Sequence, residues 1–549
     1  MHMQRDGIAP NASRLLWAGF FAILAAGIGF GIRANIAGQW RTDFGFTDEQ
    51  IGGIGPAMFP GFCFGIIAGG LLCDRLGYGK LVVVAFVLHL LSAVSAFGAS
   101  TGDAAGALQV LWWGTFLFGF ANGTLEAVAN PLVATLFPHR RTHYLNILHA
   151  SWPAGLMIGS VLVLALPGWD WRILLTMFLV ATLAYGYLFF GQAFPKSEAT
   201  RSGLGFGGMF KDVGILGALV ICVLLSQFFA GSLGLPQWVG YTVAGGLVVV
   251  AGVATNFAMG SILLFVLFVT HLLVGAVELG TDFWAPDITE NFTAPQYGTI
   301  VFLFTSSVMF ALRFCAGWIE RCGLSPVGLL MVSAVLACLG LNLASGIETL
   351  GGALLAMGVY AIGKTFFWPT MLAVASDRFP RTGAVAISLM GGIGMLSAGI
   401  VGGPGLGYAK DRFSGEALQQ ADAAVHAKYV AETPSQFLAF AEAKGIDGKK
   451  RGEVQARLKA VRGDLVTTQA IAKLSDEDRK VMQASLDADR KTLRVDSLIP
   501  ATMAAIFLLL ALWFRTQGGY RVLRIGKDGE VEAAPVQAEE TSTPLSSRR

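Results

Sequence analysis

Long apolar runs recur along the whole chain and constrain its fold more than any other feature. The first, Leu15–Ile36, provides the roughly 20 residues that a helix needs to cross a bilayer. The chain is 54% hydrophobic and only 14% charged, with a mean hydropathy of +0.61. A soluble chain of 549 residues would need far more polar surface, whereas the 70 glycines suit close packing of membrane helices. The sequence therefore predicts an all-α membrane protein.

Twelve of these runs are predicted to be membrane spans, numbered spans 1 to 12 in chain order. Two shorter runs between spans 6 and 7, Ile215–Phe229 and Val239–Val253, are predicted to be accessory helices outside the core, giving about 14 spans in total. The twelve main runs are Leu15–Ile36, Ile51–Leu72, Leu81–Phe97, Leu108–Pro138, Tyr144–Leu166, Ile173–Gly191, Gly260–Trp284, Ile300–Trp318, Gly328–Leu343, Leu350–Ala375, Ala384–Tyr408 and Leu498–Phe514.

Span 4 contains a carboxylate inside its apolar run, at Glu126 in the stretch GFANGTLEAVANPLVATLFP (119–138). A carboxylate at that depth is costly unless it faces a polar cavity or is protonated, so an acid within a span indicates a functional site. Asn130 lies one helical turn further on the same face, and Pro131 frees a backbone carbonyl beside it. We therefore predict a polar site halfway through the membrane, with Glu126 as its proton-coupling residue.

The loop after span 2 reads GLLCDRLGYGK (70–80) and resembles the loop between helices 2 and 3 of the major facilitator superfamily. The resemblance implies a gating motif that contacts helix 11, which begins near Thr382 in this chain. A plain basic loop would explain Arg75 but not the accompanying glycine and aspartate spacing. The motif residues are Gly70, Asp74, Arg75 and Gly77.

The same motif recurs in the second half, where Ala316, Glu320, Arg321 and Gly323 take the places of the four residues above. Internal repeats are how transporters of this kind build a central site. We therefore predict the major facilitator fold, with two six-helix bundles and two accessory helices. Glu320 and Arg321 join the predicted gating residues.

Spans 4 and 5 together resemble the fucose permease branch of that superfamily, which contains sugar and proton symporters. Glu126 precedes Ala-Asn130-Pro, and span 5 begins Leu-Asn146 with His149 three residues later. The resemblance implies that these residues belong to a proton and sugar site, with His149 replacing a Gln and Trp152 replacing an Asn. The branch has an Asp near the end of helix 1, where this chain has Arg33.

Further polar and aromatic residues within the predicted spans are candidate substrate contacts. A buried charge is expensive in the membrane and faces either a cavity or a partner charge, so a fixed ion-pair network is the structural alternative; Arg33 is equally well explained by snorkelling to the interface. Aromatic rings could stack on sugar faces, although packing explains most of them. The predicted substrate-binding set is Arg33, Asn35, Asn130, Asn146, His149, Trp152, Glu278, Asp282, Trp284, Arg313, Lys364 and Trp368.

The basic residues of the short loops set the predicted orientation. Lys and Arg concentrate at 75–80, 139–143, 196–211 and 378–381, which places both termini in the cytoplasm. Long loops cross the membrane regardless of charge, so residues 410–496 are predicted to be external. The tail beyond Lys527 is predicted to be disordered. The predicted segments are a cytoplasmic amino terminus (1–14), the N-terminal bundle (15–191), a linker with the accessory helices (192–259), spans 7 to 11 (260–409), an external helical insert (410–496), span 12 (497–514) and a cytoplasmic tail (515–549).

These observations favour a monomeric secondary transporter of the bacterial inner membrane that works by alternating access. The leading substrate is a sugar or polyol taken up with protons, and the alternative is an organic anion or sugar acid. A membrane receptor or sensor that keeps the transporter fold is a candidate of another class. The net charge of +3 does not indicate nucleic-acid binding, and the six cysteines lack paired metal spacing. No enzyme motif, metal site or cofactor is predicted.

Overall fold

Helices make up most of the part of the chain that the computed structural model describes, which is residues 9–44, 46, 54–196, 203, 206–293, 297–463, 465, 467–526 and 530–533. The side chain of Asp74 in the gating motif lies outside the described residues, as do parts of the predicted amino terminus, linker and tail. The first-half helices are Ala12–Phe44 (span 1), Gly55–Ala57 with Met58–Leu76 (span 2), Tyr78–Ser95 with Ala96–Gly98 (span 3), Ala104–Leu136 (span 4), Arg141–Ala165 (span 5), and Trp171–Thr176 with Leu179–Phe189 (span 6).

The linker and the second half follow the same pattern. The linker contains Phe206–Phe210, then Gly214–Gln227 with Phe228–Ser232 (accessory helix A) and Gln237–Ala254 (accessory helix B). The second-half helices are Ile262–Gly275, Ala276–Gly280 and Thr281–Phe292 (span 7), Tyr297–Arg313 (span 8), Ala316–Arg321, Pro326–Ala344 (span 9), Leu350–Lys364 and Phe367–Arg378 (span 10), Pro380–Thr382, Val385–Ser397, Ala398–Gly402 and Gly403–Ala421 (span 11), and Leu498–Thr516 (span 12).

The number of membrane-spanning helices agrees with the sequence. Within the described residues, 12 helical segments are long and apolar enough to cross a membrane. Two shorter apolar helices, Gly214–Ala230 and Tyr297–Arg313, correspond to accessory helix A and span 8. Together they confirm the predicted all-α membrane protein with about fourteen spans.

Four spans of the second half are interrupted, where the sequence predicts continuous runs. Spans 7 and 11 each contain a π-helical segment, Ala276–Gly280 and Ala398–Gly402, and spans 8 and 10 break after Arg313 and Lys364. The two π segments pack against each other through glycine, because a Cβ on Gly280 would lie 2.6 Å from the Cα of Gly402. Such segments re-aim the side chains after them and are frequent at functional sites.

Glycine allows spans 2 and 4 to touch through their backbones. A Cβ at Gly123 would lie 2.1 Å from the carbonyl oxygen of Phe62, and one at Gly65 would lie 2.1 Å from that of Phe120. Real side chains do not tolerate such distances from a rigid backbone. The close approach explains the glycine content of these spans and fixes the height of Glu126 relative to span 2.

We expect Gly123→Ala to lower the thermal unfolding temperature of the protein in detergent. The added methyl group must push two helix backbones apart, and overpacking of this kind costs about 1–3 kcal/mol. Gly245→Ala is the matched control, because Gly245 is also helical but has nothing within 4 Å of the added Cβ. Alanine favours the helix by about 1 kcal/mol over glycine, so the control keeps or raises the unfolding temperature. Equal behaviour of the two variants would contradict this packing.

The segment between spans 11 and 12 forms a helical insert on the second half. Its helices beyond span 11 are Ala423–Tyr429, Gly448–Arg462, Thr467–Ile471 and Asp476–Asp496. Lys410 forms a buried ion pair of 3.2 Å with Asp489, and Thr281 of span 7 donates a hydrogen bond of 2.6 Å to Asp496. The insert therefore packs onto spans 7 and 11 through buried polar contacts.

The carboxyl-terminal tail contains the one pair of strands in the described residues. Strand β1, Leu523–Ile525, pairs antiparallel with β2, Val531–Ala533. The predicted disorder beyond Lys527 is therefore wrong for residues 531–533, because backbone hydrogen bonds to β1 order them. Residues 534–549 lie outside the description.

Candidate functional site

A chain of hydrogen bonds joins three of the predicted site residues in the first half. The amide nitrogen of Asn130 donates to Oε2 of Glu126 at 3.1 Å, and Nε2 of His149 lies 2.9 Å from Oδ1 of Asn130. Because the Asn130 nitrogen faces a carboxylate, its oxygen accepts, so His149 carries a proton on Nε2. All three side chains are buried. The chain runs from span 4 to span 5.

Arg313 of span 8 connects this chain to the second half. Its guanidinium donates to the backbone carbonyl of His149, and Nε donates to the carbonyl of Thr365 at 3.0 Å. The same guanidinium forms an ion pair of 3.2 Å with Glu278, and both side chains are buried. A single arginine therefore holds span 5 of the first half against spans 7 and 10 of the second.

A second ion pair lies within the second half. Lys364 of span 10 contacts Asp282 of span 7, and its ammonium lies 5.1 Å from the centre of the Tyr360 ring. The Tyr360 hydroxyl donates to the carbonyl of Val277 at 2.6 Å, next to Glu278. The Lys364 side chain is 1% exposed, whereas that of Asp282 is 20% exposed. The pair therefore begins inside the bundle and ends at solvent.

The charges of this region are unequal in number. Glu126, Glu278 and Asp282 supply three carboxylates, whereas Arg313 and Lys364 supply two cations. Each cation contacts a carboxylate of its own half, and the hydrogen bond that the described residues make to Glu126 comes from a neutral group, the amide of Asn130. Glu126 is therefore the carboxylate of this region whose charge is not directly paired.

Several polar atoms around these residues are buried without a hydrogen-bond partner. Asn146 donates to the carbonyl of Thr142 at 2.8 Å and to the Thr370 hydroxyl at 3.3 Å, but its oxygen has no partner among the described residues. One carboxylate oxygen of Glu278 and both ring nitrogens of His271 also have no partner in this part of the chain. Buried polar groups normally have partners, so this set of orphaned donors and acceptors is what a polar ligand would satisfy.

His271 was not among the residues selected from the sequence. It lies in span 7, and its ring packs on the indole of Trp368 with ring centres 4.7 Å apart. A polar residue within an apolar run was the signal that identified Glu126, and the stretch LFVTHLLVG carries the same signal. Trp368 is thus a neighbour of both His271 and Glu126.

The structure places four predicted residues apart from these contacts. Arg33 packs inside the first half, where its guanidinium lies 4.0 Å from the centre of the Phe118 ring and donates to the carbonyl of Gly29 at 3.0 Å. Asn35 donates to the carbonyl of Gly31 and to the hydroxyl of Ser160. Trp152 packs on Phe30.

Trp284 donates to the carbonyl of Gly403 at 2.9 Å, and the ammonium of Lys410 lies over its ring.

The gating motif of each half touches the other half. A Cβ on Gly70 would lie 2.3 Å from the Cβ of Ser388, so span 2 closely approaches span 11. In the echo of the motif, the amide of Gly317 lies 3.2 Å from Nδ1 of His143, so this stretch meets span 5. Spans 5 and 11 are equivalent in two six-helix halves, and the two contacts are therefore related by the internal repeat.

The remaining motif residues lie at the same end of the bundle. Gly77 ends span 2 with a φ of 82°, a conformation that glycine adopts readily. Arg75 and Gly77 are exposed, Glu320 lies near Thr142 of span 5, and Nε of Arg321 donates to the carbonyl of Gly317 at 3.2 Å.

Comparison with known proteins supports this architecture. The model of the Major Facilitator Superfamily matches residues 19–404. The chain belongs to the major facilitator superfamily.

Individual superfamily members are distant from this chain. The cis,cis-muconate transport protein of Acinetobacter baylyi is 24% identical over 33% of this chain, and the matched segment spans only 43% of that protein. The structure of FucP in the outward conformation aligns with a TM-score of 0.52 at 15% identity, covering 73% of this chain and 91% of FucP. The proton:xylose symporter XylE aligns with a TM-score of 0.54 at 15% identity, covering 70% and 86%. The fold is therefore that of a superfamily transporter, and a polar small-molecule site between its halves suits that fold.

Proposed function

We propose that this superfamily member is a symporter that takes up a neutral polyhydroxy solute, a sugar or polyol, together with a proton. The observation that carries the proposal is the buried carboxylate of Glu126, which has no directly contacting cation among the described residues. Its hydrogen bonds lead through Asn130 to the ring of His149, whose backbone carbonyl accepts from Arg313 of the opposite half. A carboxylate in this setting can be neutral or charged in different states, which is what proton coupling requires.

The hydrogen-bond chain offers a route from the proton to the contact between the halves. When Glu126 is charged, Asn130 donates to it and must accept from His149. When Glu126 is protonated, its hydroxyl can donate to the oxygen of Asn130, so the Asn130 amide can turn over and present its nitrogen to His149. The His149 ring must then accept a hydrogen bond instead of donating one, and Arg313 is bound to the backbone carbonyl of the same residue. Proton binding thereby alters an interaction that closes the halves together.

The balance of charge favours a neutral substrate. Both cations of the region are paired with carboxylates, so an anionic ligand would have to break an existing ion pair or meet excess negative charge. A sugar hydroxyl can donate and accept, and it would suit the unpartnered oxygen of Asn146 and the nitrogens of His271. The indole of Trp368 offers a flat face for a sugar ring. These features support a sugar or polyol.

An organic anion or sugar acid is the second candidate, supported by Arg33. Its described contacts include no carboxylate, although the side chain is buried. A buried cation of this kind could receive a substrate carboxylate. A protein similar to part of this chain is named for the transport of cis,cis-muconate, a dicarboxylate.

Uptake into proteoliposomes distinguishes these proposals. Purified protein would be tested with labelled hexoses, hexitols, hexuronates and cis,cis-muconate under an imposed pH gradient, against protein-free liposomes. Accumulation of a hexose or hexitol that collapses with a protonophore supports the proposed symport. Accumulation of the carboxylates alone favours the anion candidate, uptake without accumulation indicates facilitated diffusion, and binding without flux supports a receptor or sensor.

We also propose the orientation and the location of the segments. The distribution of Lys and Arg supports a bacterial inner-membrane protein with both termini in the cytoplasm and the 410–496 insert outside. Labelling of a cysteine placed at exposed Leu438 by an impermeant maleimide in intact cells tests this orientation. Labelling of this cysteine only after cell lysis would place the insert in the cytoplasm and contradict the proposed orientation.

A further inference from the structure

The segment that follows span 12 lies across the end of the bundle where spans 5 and 10 meet. The hydroxyl of Tyr520 donates to Oδ2 of Asp377 at 2.8 Å, and Arg378 donates to the carbonyl of Arg521 at 2.8 Å. The Tyr520 ring also packs edge-on against Phe514, with ring centres 5.2 Å apart. These contacts attach the segment to spans 10 and 12, which belong to the second half.

Asp377 is also the partner of a first-half arginine. Nη1 of Arg141 lies 3.2 Å from Oδ1 of Asp377, and the two side chains are 6% and 4% exposed. Arg141 donates as well to the carbonyl of Ser376 at 3.2 Å and to that of Ala134 at 3.1 Å. The carboxylate of Asp377 therefore receives Arg141 on one oxygen and Tyr520 on the other.

The same segment reaches the first half directly. Nη2 of Arg524 lies 2.9 Å from Nε2 and 3.0 Å from Nδ1 of His139, in the loop between spans 4 and 5. Arg524 belongs to β1, whose pairing with β2 restricts its movement. The chain from Tyr520 to Arg524 is thus fixed to the second half at its beginning and to the first half at its end.

We propose that residues 520–525 act as a strap that holds the two halves together at this end of the bundle, with Tyr520 as a positioning residue that orients Asp377 toward Arg141. Alternating access requires this end to open, so the strap must release before the halves separate. The strap therefore favours conformations that are closed at this end. The proposal rests on the two-half transporter fold and on alternating access, and it does not depend on which solute is carried.

The test measures how often this end opens. Thr135 lines a small cavity at this end together with Arg141 and Ser376, so a Thr135→Cys reporter becomes reactive to an impermeant maleimide when the halves separate here. Full-length protein carrying this reporter, with the incompletely buried native Cys315, Cys322 and Cys338 replaced by Ser, would be compared with the same protein carrying Tyr520→Phe or Arg524→Gln. Tyr520→Phe loses a hydrogen bond to the buried carboxylate of Asp377, which raises the labelling rate by about tenfold. Arg524→Gln loses an exposed contact and raises the rate less.

Two controls separate opening from loss of structure. Arg515→Gln removes an exposed cation in the last turn of span 12 and leaves the labelling rate unchanged. Native Cys63 is buried and reports global unfolding, so it must stay unlabelled in every variant. Faster labelling at position 135 with Cys63 protected supports the strap. Labelling rates equal to that of Arg515→Gln overturn it, and because the assay needs no substrate, this outcome leaves the proposed symport untouched.

Discussion

Proteoliposomes containing Glu126→Gln are expected to lose pH-driven accumulation of the solute while they still exchange it across the membrane. The amide keeps the size of the side chain and a hydrogen-bonding oxygen for Asn130, but it cannot take up or release a proton. With one proton per solute, a gradient of one pH unit supports accumulation of at most about tenfold. The variant reaches only equal concentrations on both sides. Counterflow of labelled solute, measured without a gradient, remains.

A carboxylate far from the site serves as the matched control for this experiment. Glu348 lies between spans 9 and 10 and is exposed, so Glu348→Gln removes the same charge without touching the hydrogen-bond chain. This control keeps both accumulation and counterflow. Accumulation by Glu126→Gln as strong as that of the wild type would remove Glu126 as the coupling residue. Loss of counterflow as well would instead make it part of the solute site.

The variant Arg313→Met is expected to be severely destabilised and inactive. It leaves the buried carboxylate of Glu278 without its cation, and breaking a buried pair from one side costs about 3–5 kcal/mol. It also removes the donors to His149 and Thr365, which hold spans 5 and 10. Thermal unfolding in detergent measures the loss of stability, and counterflow measures the loss of transport.

The double variant Arg313→Met/Glu278→Gln tests whether the loss comes from the unpaired charge. Without the carboxylate, no bare charge remains buried, so most of the stability returns while transport does not. Arg412→Met provides the comparison, because it breaks the exposed pair of Arg412 and Glu416 in the last helix of span 11. Exposed helix pairs contribute only about 0.3–0.5 kcal/mol, so this variant loses little stability. A double variant no more stable than Arg313→Met would show that the ion pair is not the source of the loss.

The sequence predicts the membrane spans and the neighbours along one helix, because both depend on short stretches of chain. The membrane spans follow from local hydropathy, and the helical spacing of four residues places Asn130 beside Glu126, as the structure has it. The gating motif and its echo are local patterns as well, and Gly70 meets span 11 as the resemblance implies. Contacts between residues of one helix follow from helical spacing, so they can be predicted without knowing the fold.

Contacts between spans could not be predicted in the same way. The sequence names Arg313, Lys364, Glu278 and Asp282, but it does not say which cation meets which carboxylate. The π segment that contains Glu278 adds a residue to one turn and changes the direction in which the later side chains of span 7 point. His271 and Arg33 show the same limit, because both are polar residues in apolar runs and only His271 faces Trp368.

The amino-acid sequence by itself determined that this chain is a helical membrane protein of two related halves with an acid inside span 4. Hydrophobic runs and motif spacing indicate these features, and each can be recognised within a short stretch of sequence. The repeat is found by comparing two such stretches. Only the tertiary structure decided that Arg313 bridges the halves, that Trp284 packs against span 11, and that the segment after span 12 bonds to Asp377. Those contacts depend on how each helix is rotated and where it is interrupted, which packing against distant segments sets.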